Sequence, residues 1–169
     1  LAGEVPKWKF SPDTPIIGAN KRYTKREMRK TWHKHAAMTT QLATMLQAAG
    51  LGTIGTDIGV NAFMNKADDE IAVFSFAGDR DDVTHGDAPG TVAFENPDVQ
   101  VHVRNVSSAV AEEKCRLVYN ALRNRKDQSV NTHTYTYIQG TISPMPIDMD
   151  PERKRPIYMA QFRCQRLPE

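Results

Sequence analysis

The sequence has few cysteines and no long apolar run, and each absence excludes a class of protein. Cys115 and Cys164 are the two cysteines among 169 residues, which are too few for a disulfide framework and are not spaced as a CxxC pair. No apolar stretch approaches the roughly 20 residues of a membrane-spanning helix, and no secretory signal is recognisable. We therefore expect reduced thiols in a cytosolic setting and no membrane partner.

Charge is nearly balanced over the whole sequence but not along it. The formal net charge is +2, yet residues 1–37 contain nine Lys or Arg and three acidic residues, a net charge of +6. Pro6, Pro12 and Pro15 predict extended chain at the start of this segment. We therefore divide the chain into a basic N-terminal arm, residues 1–37, which includes the start of the first helix, and a single α+β domain, residues 38–169.

Two helices are predicted from capping signals and periodicity. Thr24–Glu27 fits a capping box, and residues at steps of three and four then form one helical stripe that ends at Gly50. A second helix is predicted from Ser107 or Ser108 to about Asn124, because apolar residues recur there at helical spacing.

Alternating residues predict five strands. The first two, over residues 58–64 and 72–76, form a hairpin around residues 65–70. The third covers residues 99–104, the fourth covers residues 130–142 and is ended by Pro144 and Pro146, and the last covers residues 158–164. This order favours an α+β fold, a mainly antiparallel sheet of about five strands backed by two helices. The predicted core includes Val99, Val101, Val103, Val118, Leu122 and Phe162.

The residues from Gly50 to Gly55 spell GxGxxG, a fingerprint of dinucleotide binding. That fingerprint needs its glycines after a strand and at the start of a helix, where amide groups face a pyrophosphate. Here the glycines follow a predicted helix and open a predicted strand. We therefore interpret them as a helix end and expect no cofactor.

No metal site or catalytic site is predicted. The acidic loop over residues 78–90 lacks the Glu that an EF-hand requires, and no histidine pairs with a Cys or a second His at a zinc spacing. Cys115 with His102 or His133 is the enzyme hypothesis, but Cys115 lies on the apolar stripe of the second helix, where thiols are usually inert. We expect no enzyme.

The basic segment of the arm is the strongest candidate interface. Its cations, with Tyr23 and Trp32 between them, either bind phosphates through counterion release or form the solvated side of a packed helix. Trp8 and Phe10 lie in an arm without a core of its own, which favours a protein partner over nucleic acid. Together with the acidic loop, the candidate interface residues are Lys21, Arg22, Lys25, Arg26, Arg29, Lys30, Asp79, Asp81 and Asp82.

Three segments of the chain carry a family resemblance. Residues 96–104 read NPDVQVHVR and precede a helix with Tyr119 and Leu122, residues 142–166 form a strand, a polar turn and a strand, and residues 38–57 form a short helix followed by LGTIGTD. Together they resemble phage minor capsid proteins, which belong with the tail terminator proteins of long-tailed bacteriophages. The resemblance covers residues 38–166 and leaves the arm outside; His102 occupies a position where the family often has Arg.

The resemblance implies a structural virion protein of the tail or neck, assembled in the host cytoplasm. Its partners would be copies of itself in a ring, usually of six, the tail tube protein, and a head–tail connector or stopper protein, with DNA passing through the lumen without sequence-specific binding. It implies no catalytic residue. Free sheet edges are also able to pair with a neighbouring subunit. A head completion or connector stopper protein, or a nucleic-acid-binding module that uses the basic helix, are the alternatives.

Overall fold

The computed structural model describes residues 38–65, 68–76, 94–131, 133–150 and 154–167. The arm, including the predicted helix start at Thr24–Glu27, and the acidic loop lie outside these residues. The described chain contains helix α1, residues 38–48, and helix α2, Ser108–Leu122. The strands are β1 Ile58–Val60, β2 Glu70–Phe76, β3 Asp98–Arg104, β4 Arg125–Val130, β5 His133–Met149 and β6 Pro156–Arg166.

All six strands form one mixed sheet in the order β1-β2-β3-β6-β5-β4. Every neighbouring pair is antiparallel except β1 and β2, which are parallel. The α+β class and the two helices are therefore confirmed, whereas the predicted strand count and the uniform strand direction are wrong.

The core lies on the side of the sheet that the helices cover. Alternate residues of β3, Val99, Val101 and Val103, are fully buried there as predicted. Tyr158, Ala160, Phe162 and Cys164 of β6 also share this face and are buried. Both helices belong to the same hydrophobic cluster, to which they contribute Met38, Leu42, Ala43, Leu46, Ala111, Cys115, Val118 and Leu122.

The predicted hairpin between the first two strands is replaced by a parallel pair. Asn61 and Asn65 adopt left-handed backbone conformations, with φ of 59° and 57°. The chain also folds back closely at Gly59, where an added Cβ would collide with the carbonyl oxygen of Ala62. β1 therefore ends at Val60, and the following residues return the chain so that β2 starts beside the start of β1.

The segment after α2 also differs from the prediction. The fourth and fifth strands form a hairpin, with β4 opposite the first residues of β5, and β4 is an additional strand because its sequence RKDQSV has no apolar alternation. β5 does not end at Pro144 and Pro146 but continues through both to Met149. The reason lies in the direction of the proline nitrogens and is given below.

We expect Leu46→Ala to lower the free energy of unfolding by about 2–5 kcal/mol, since Leu46 is fully buried and its removal leaves a cavity. Leu117→Ala is the matched control: Leu117 is 51% exposed on α2, and the expected change is within about 0.5 kcal/mol. Urea denaturation measures both. Equal losses in the two variants would contradict the described core.

Candidate assembly surfaces

The interface residues predicted from the sequence all lie outside the described residues, both the six cations from Lys21 to Lys30 and the acids Asp79, Asp81 and Asp82. The sites described next are a buried charge cluster, two buried thiols, a glycine-rich turn and an open sheet edge. Sequence reasoning did not find the charge cluster.

Arg104, at the end of β3, is the centre of the buried charge cluster and is 3% exposed. Its Nη2 donates to Glu70 Oε2 at 2.7 Å and to Asn65 Oδ1 at 2.7 Å, and its Nη1 donates to Asp150 Oδ2 at 3.0 Å. The guanidinium carbon also lies 4.4 Å from the centre of the Phe63 ring. One side chain therefore ties together β2, β3, the segment after β1 and the end of the β5 strand.

The register of the sheet explains this cluster. Glu70 lies directly opposite Arg104 in the antiparallel β2–β3 pair, on the face away from the Val99 to Val103 core. Arg155 pairs with Asp68 close by, and the amide of Asp150 donates to the carbonyl oxygen of Arg155 at 2.8 Å. The β5–β6 hairpin is thus fixed to the sheet by two arginines, a structural role that also sets the direction of the hairpin.

A second polar network supports α1 from below. Tyr135 on β5 donates to Gln41 on α1, and Arg166 at the end of β6 pairs with Glu95 at 2.7 Å. Burial is the main cause that raises the pKa of Tyr135 well above its usual range. The tyrosine therefore remains a neutral hydrogen-bond donor that holds the helix on the sheet.

Both thiols are packing groups in the core. Cys115 on α2 and Cys164 on β6 are fully buried, and burial raises the pKa of each thiol to about 12. His102 lies on the opposite face of the sheet, where its ring stacks on Phe74 with 4.7 Å between centroids, and burial lowers its pKa. The hypothetical Cys115–His102 dyad is therefore not assembled.

The GxGxxG segment is a turn that uses its own amides. Gly50 and Gly55 have φ of 75° and 83°, in the left-handed region that favours glycine. The amide of Thr53 donates to Asp57 and that of Ile54 to Gln47. The segment follows α1 and precedes β1, so the interpretation as a helix end is confirmed. Among the described residues no group of three or more His, Cys, Asp or Glu is placed to hold a metal ion.

The last eleven residues of β5, Gln139–Met149, form an open edge in the described part of the chain. β4 pairs with β5 from His133 to Ile138, whereas β6 accompanies β5 as far as Met149. Three large apolar side chains are exposed within this half of β5: Met145 at 42%, Ile147 at 40% and Met149 at 53%.

Hydrogen-bond directions show that this edge is poor in donors. The amide of Cys164 donates toward β3, and because main-chain groups alternate along a strand, Met159 bonds toward β5 instead. Met145 lies opposite Met159 and so directs its main chain to β6, which leaves Pro144 and Pro146 facing the open edge. Proline is tolerated where no N–H is needed, as at an edge, and this is why the two prolines do not end the strand.

A comparison with protein families identifies the fold. Residues 45–167 match the model of the bacteriophage tail terminator proteins, a span that takes in all six strands, α2 and the buried charge cluster. The chain belongs to this family. The resemblance read from residues 38–166 is thereby confirmed, and the protein is a component of the phage particle. No curated protein matches the chain, and no helix among the described residues is long and apolar enough to cross a membrane.

Thiol reactivity gives a first test of this tail terminator structure. A rise in pKa from 9.0 to about 12 lowers the thiolate fraction at neutral pH by about a thousandfold. We expect native protein to react with iodoacetamide at least that much more slowly than urea-unfolded protein, as followed by mass spectrometry. Rapid modification of Cys115 in the native state would contradict its packing role.

Replacing Arg104 tests the buried charge cluster. Arg104→Ala leaves Glu70 and Asp150 without their cation, and we expect a loss of about 3–5 kcal/mol in the free energy of unfolding. Arg116→Ala removes an exposed helix pair with Glu112 and should cost no more than about 0.5 kcal/mol. Arg104→Lys keeps the charge but not the forked geometry, and an intermediate loss is expected. A loss as small as that of Arg116→Ala would refute the cluster.

Proposed function

We propose that this tail terminator protein acts as a hexameric ring that caps the finished tail tube and joins it to the head-side connector. The family match over residues 45–167 carries this proposal. The ring, its partners in the neck and its assembly in the host cytoplasm follow from what the resemblance implies. A head completion or connector stopper role is the alternative within the same assembly.

The protein acts by shape in this proposal and has no catalytic step. Its thiols are buried, its glycine-rich turn satisfies its own amides, and its largest charge cluster is closed by internal ion pairs. DNA passes through the lumen of the ring without sequence-specific recognition.

The arm and the acidic loop supply opposite charges for contacts within the ring or with the tube. Residues 1–37 carry a net charge of +6, and residues 77–93 carry four Asp and one Arg, a net charge of −3. Attraction between such segments of different subunits would strengthen a ring without enlarging its folded body.

Tube assembly tests the proposed function. Tail tube protein is polymerised with and without the terminator, and electron microscopy records tube length and the ends of the tubes. We expect a ring at one end of each tube and an arrest of growth. A protein that remains monomeric beside capped or uncapped tubes would refute the proposal, and density on the connector alone would favour the stopper role.

The candidate interface residues are tested in the same assay. Reversal of the six cations Lys21, Arg22, Lys25, Arg26, Arg29 and Lys30 to Glu should reduce capping by about tenfold or more, because repulsion from the acidic loop replaces attraction. Asp79→Lys with Asp81→Lys and Asp82→Lys should partly restore capping in that background. Submicromolar DNA affinity with a steep salt dependence, and no ring by mass measurement, would instead support the nucleic-acid-binding module.

A further inference from the structure

We propose that neighbouring subunits join by inserting the tip of the β5–β6 hairpin of one copy into a groove beside β4 of the next. This inference rests on the proposed ring and names the contact that closes it. The occupant of the groove is a second copy of this chain.

The groove lies between the end of α1, the end of α2 and strand β4, and its volume is about 450 Å³. Its floor is made of small or flexible apolar side chains, and Arg125 stands at its rim, where its Nε donates to the carbonyl oxygen of Ala121 at 2.8 Å. The lining residues that the argument uses are Met45, Ala48, Ala49, Ala121, Arg125 and Val130.

The hairpin tip has the complementary character. Ile147 and Met149 are exposed apolar side chains on either side of an exposed carboxylate, Asp148. One oxygen of that carboxylate accepts the amide of Met149 at 2.7 Å. Two apolar side chains thus match the alanine-rich floor, and the carboxylate between them matches the guanidinium at the rim.

The two surfaces lie at opposite ends of the same strand. β4, which lines the groove, pairs with β5 from His133 to Ile138, and Ile147 follows nine residues later. At about 3.3 Å per residue the separation is roughly 30 Å. A surface at one end that fits a different surface at the other end gives a head-to-tail contact, and such contacts close into rings when the rotation between copies allows it.

The open edge of β5 favours this contact over the addition of a strand. Pro144 and Pro146 present no N–H there, and the amide of Met149 is already bonded to Asp148. An added strand would therefore lack partners for its carbonyl groups, whereas side-chain docking needs none of these donors.

Cysteine cross-linking tests the contact directly. Ala48→Cys places a thiol in the groove and Ile147→Cys places one on the hairpin tip, while the native thiols are buried and remain silent. A short bismaleimide is added to the assembled protein, and the products are separated under denaturing conditions. We expect no product from either single variant, a dimer when both are mixed before assembly, and a ladder that ends at the ring number when both changes are in one chain.

Three outcomes would overturn the inference. Cross-linking of Ile147→Cys with itself would indicate a twofold contact instead, and cross-linking of the tip to tail tube protein alone would give the hairpin a different partner. A ring seen by mass measurement without any ladder would reject this contact and leave the proposed function intact. If no ring forms alone or with tail tubes, both proposals fail.

A charge exchange provides the second test, with mass measurement of ring dissociation as its readout. Arg125→Glu and Asp148→Arg should each raise the concentration at which half the rings dissociate by about tenfold, and the double variant should recover most of that loss. Lys126→Glu is the matched control, because Lys126 is the next residue of β4, is also exposed, and does not line the groove. An equal effect of Lys126→Glu, or no recovery in the double variant, would contradict the proposed pair.

Discussion

The pairing of β6 with both β3 and β5 is the constraint on which the structure of the described domain depends. Without it the sheet divides into β1-β2-β3 and β5-β4, and neither part covers the core alone. Asp98 and Arg163, which pair across β3 and β6, are 65 residues apart. Such a non-local pairing requires loop closure before it is rewarded by burial. The last strand therefore completes the core, the Arg166–Glu95 pair and the support of the hairpin together.

The elements that were predictable are those whose burial is one-sided and regular. Val99, Val101 and Val103 alternate because one face of β3 lies under helices, and the α2 stripe of Cys115 and Val118 has helical spacing for the same reason. β4 escaped notice since both of its faces are largely exposed, and β1 was assigned to a hairpin since nothing local in the sequence reveals the close approach at Gly59. Edge position and chain reversal depend on tertiary contacts rather than on residue pattern.

The functional residues were less accessible to sequence reasoning. Arg104 forms its ion pairs with residues 34 and 46 positions away, and no periodic pattern connects partners at such distances. A signal did exist: an arginine in the alternation of a strand whose other face is all valine must be solvated or paired. The groove beside β4 gives no comparable signal, because three separate elements supply its small side chains.

The blocked edge of β5 has a consequence for a protein that must end growth. A sheet edge with free donors and acceptors accepts a strand, and the new edge accepts another, so edge pairing favours continued addition. Pro144, Pro146 and the bonded amide of Met149 remove donors from this edge, while Met145 and Ile147 beside it remain available for apolar contact. Side-chain docking between two different surfaces is saturated once a ring closes. A terminator built in this way binds its own copies without offering the next layer a strand to extend.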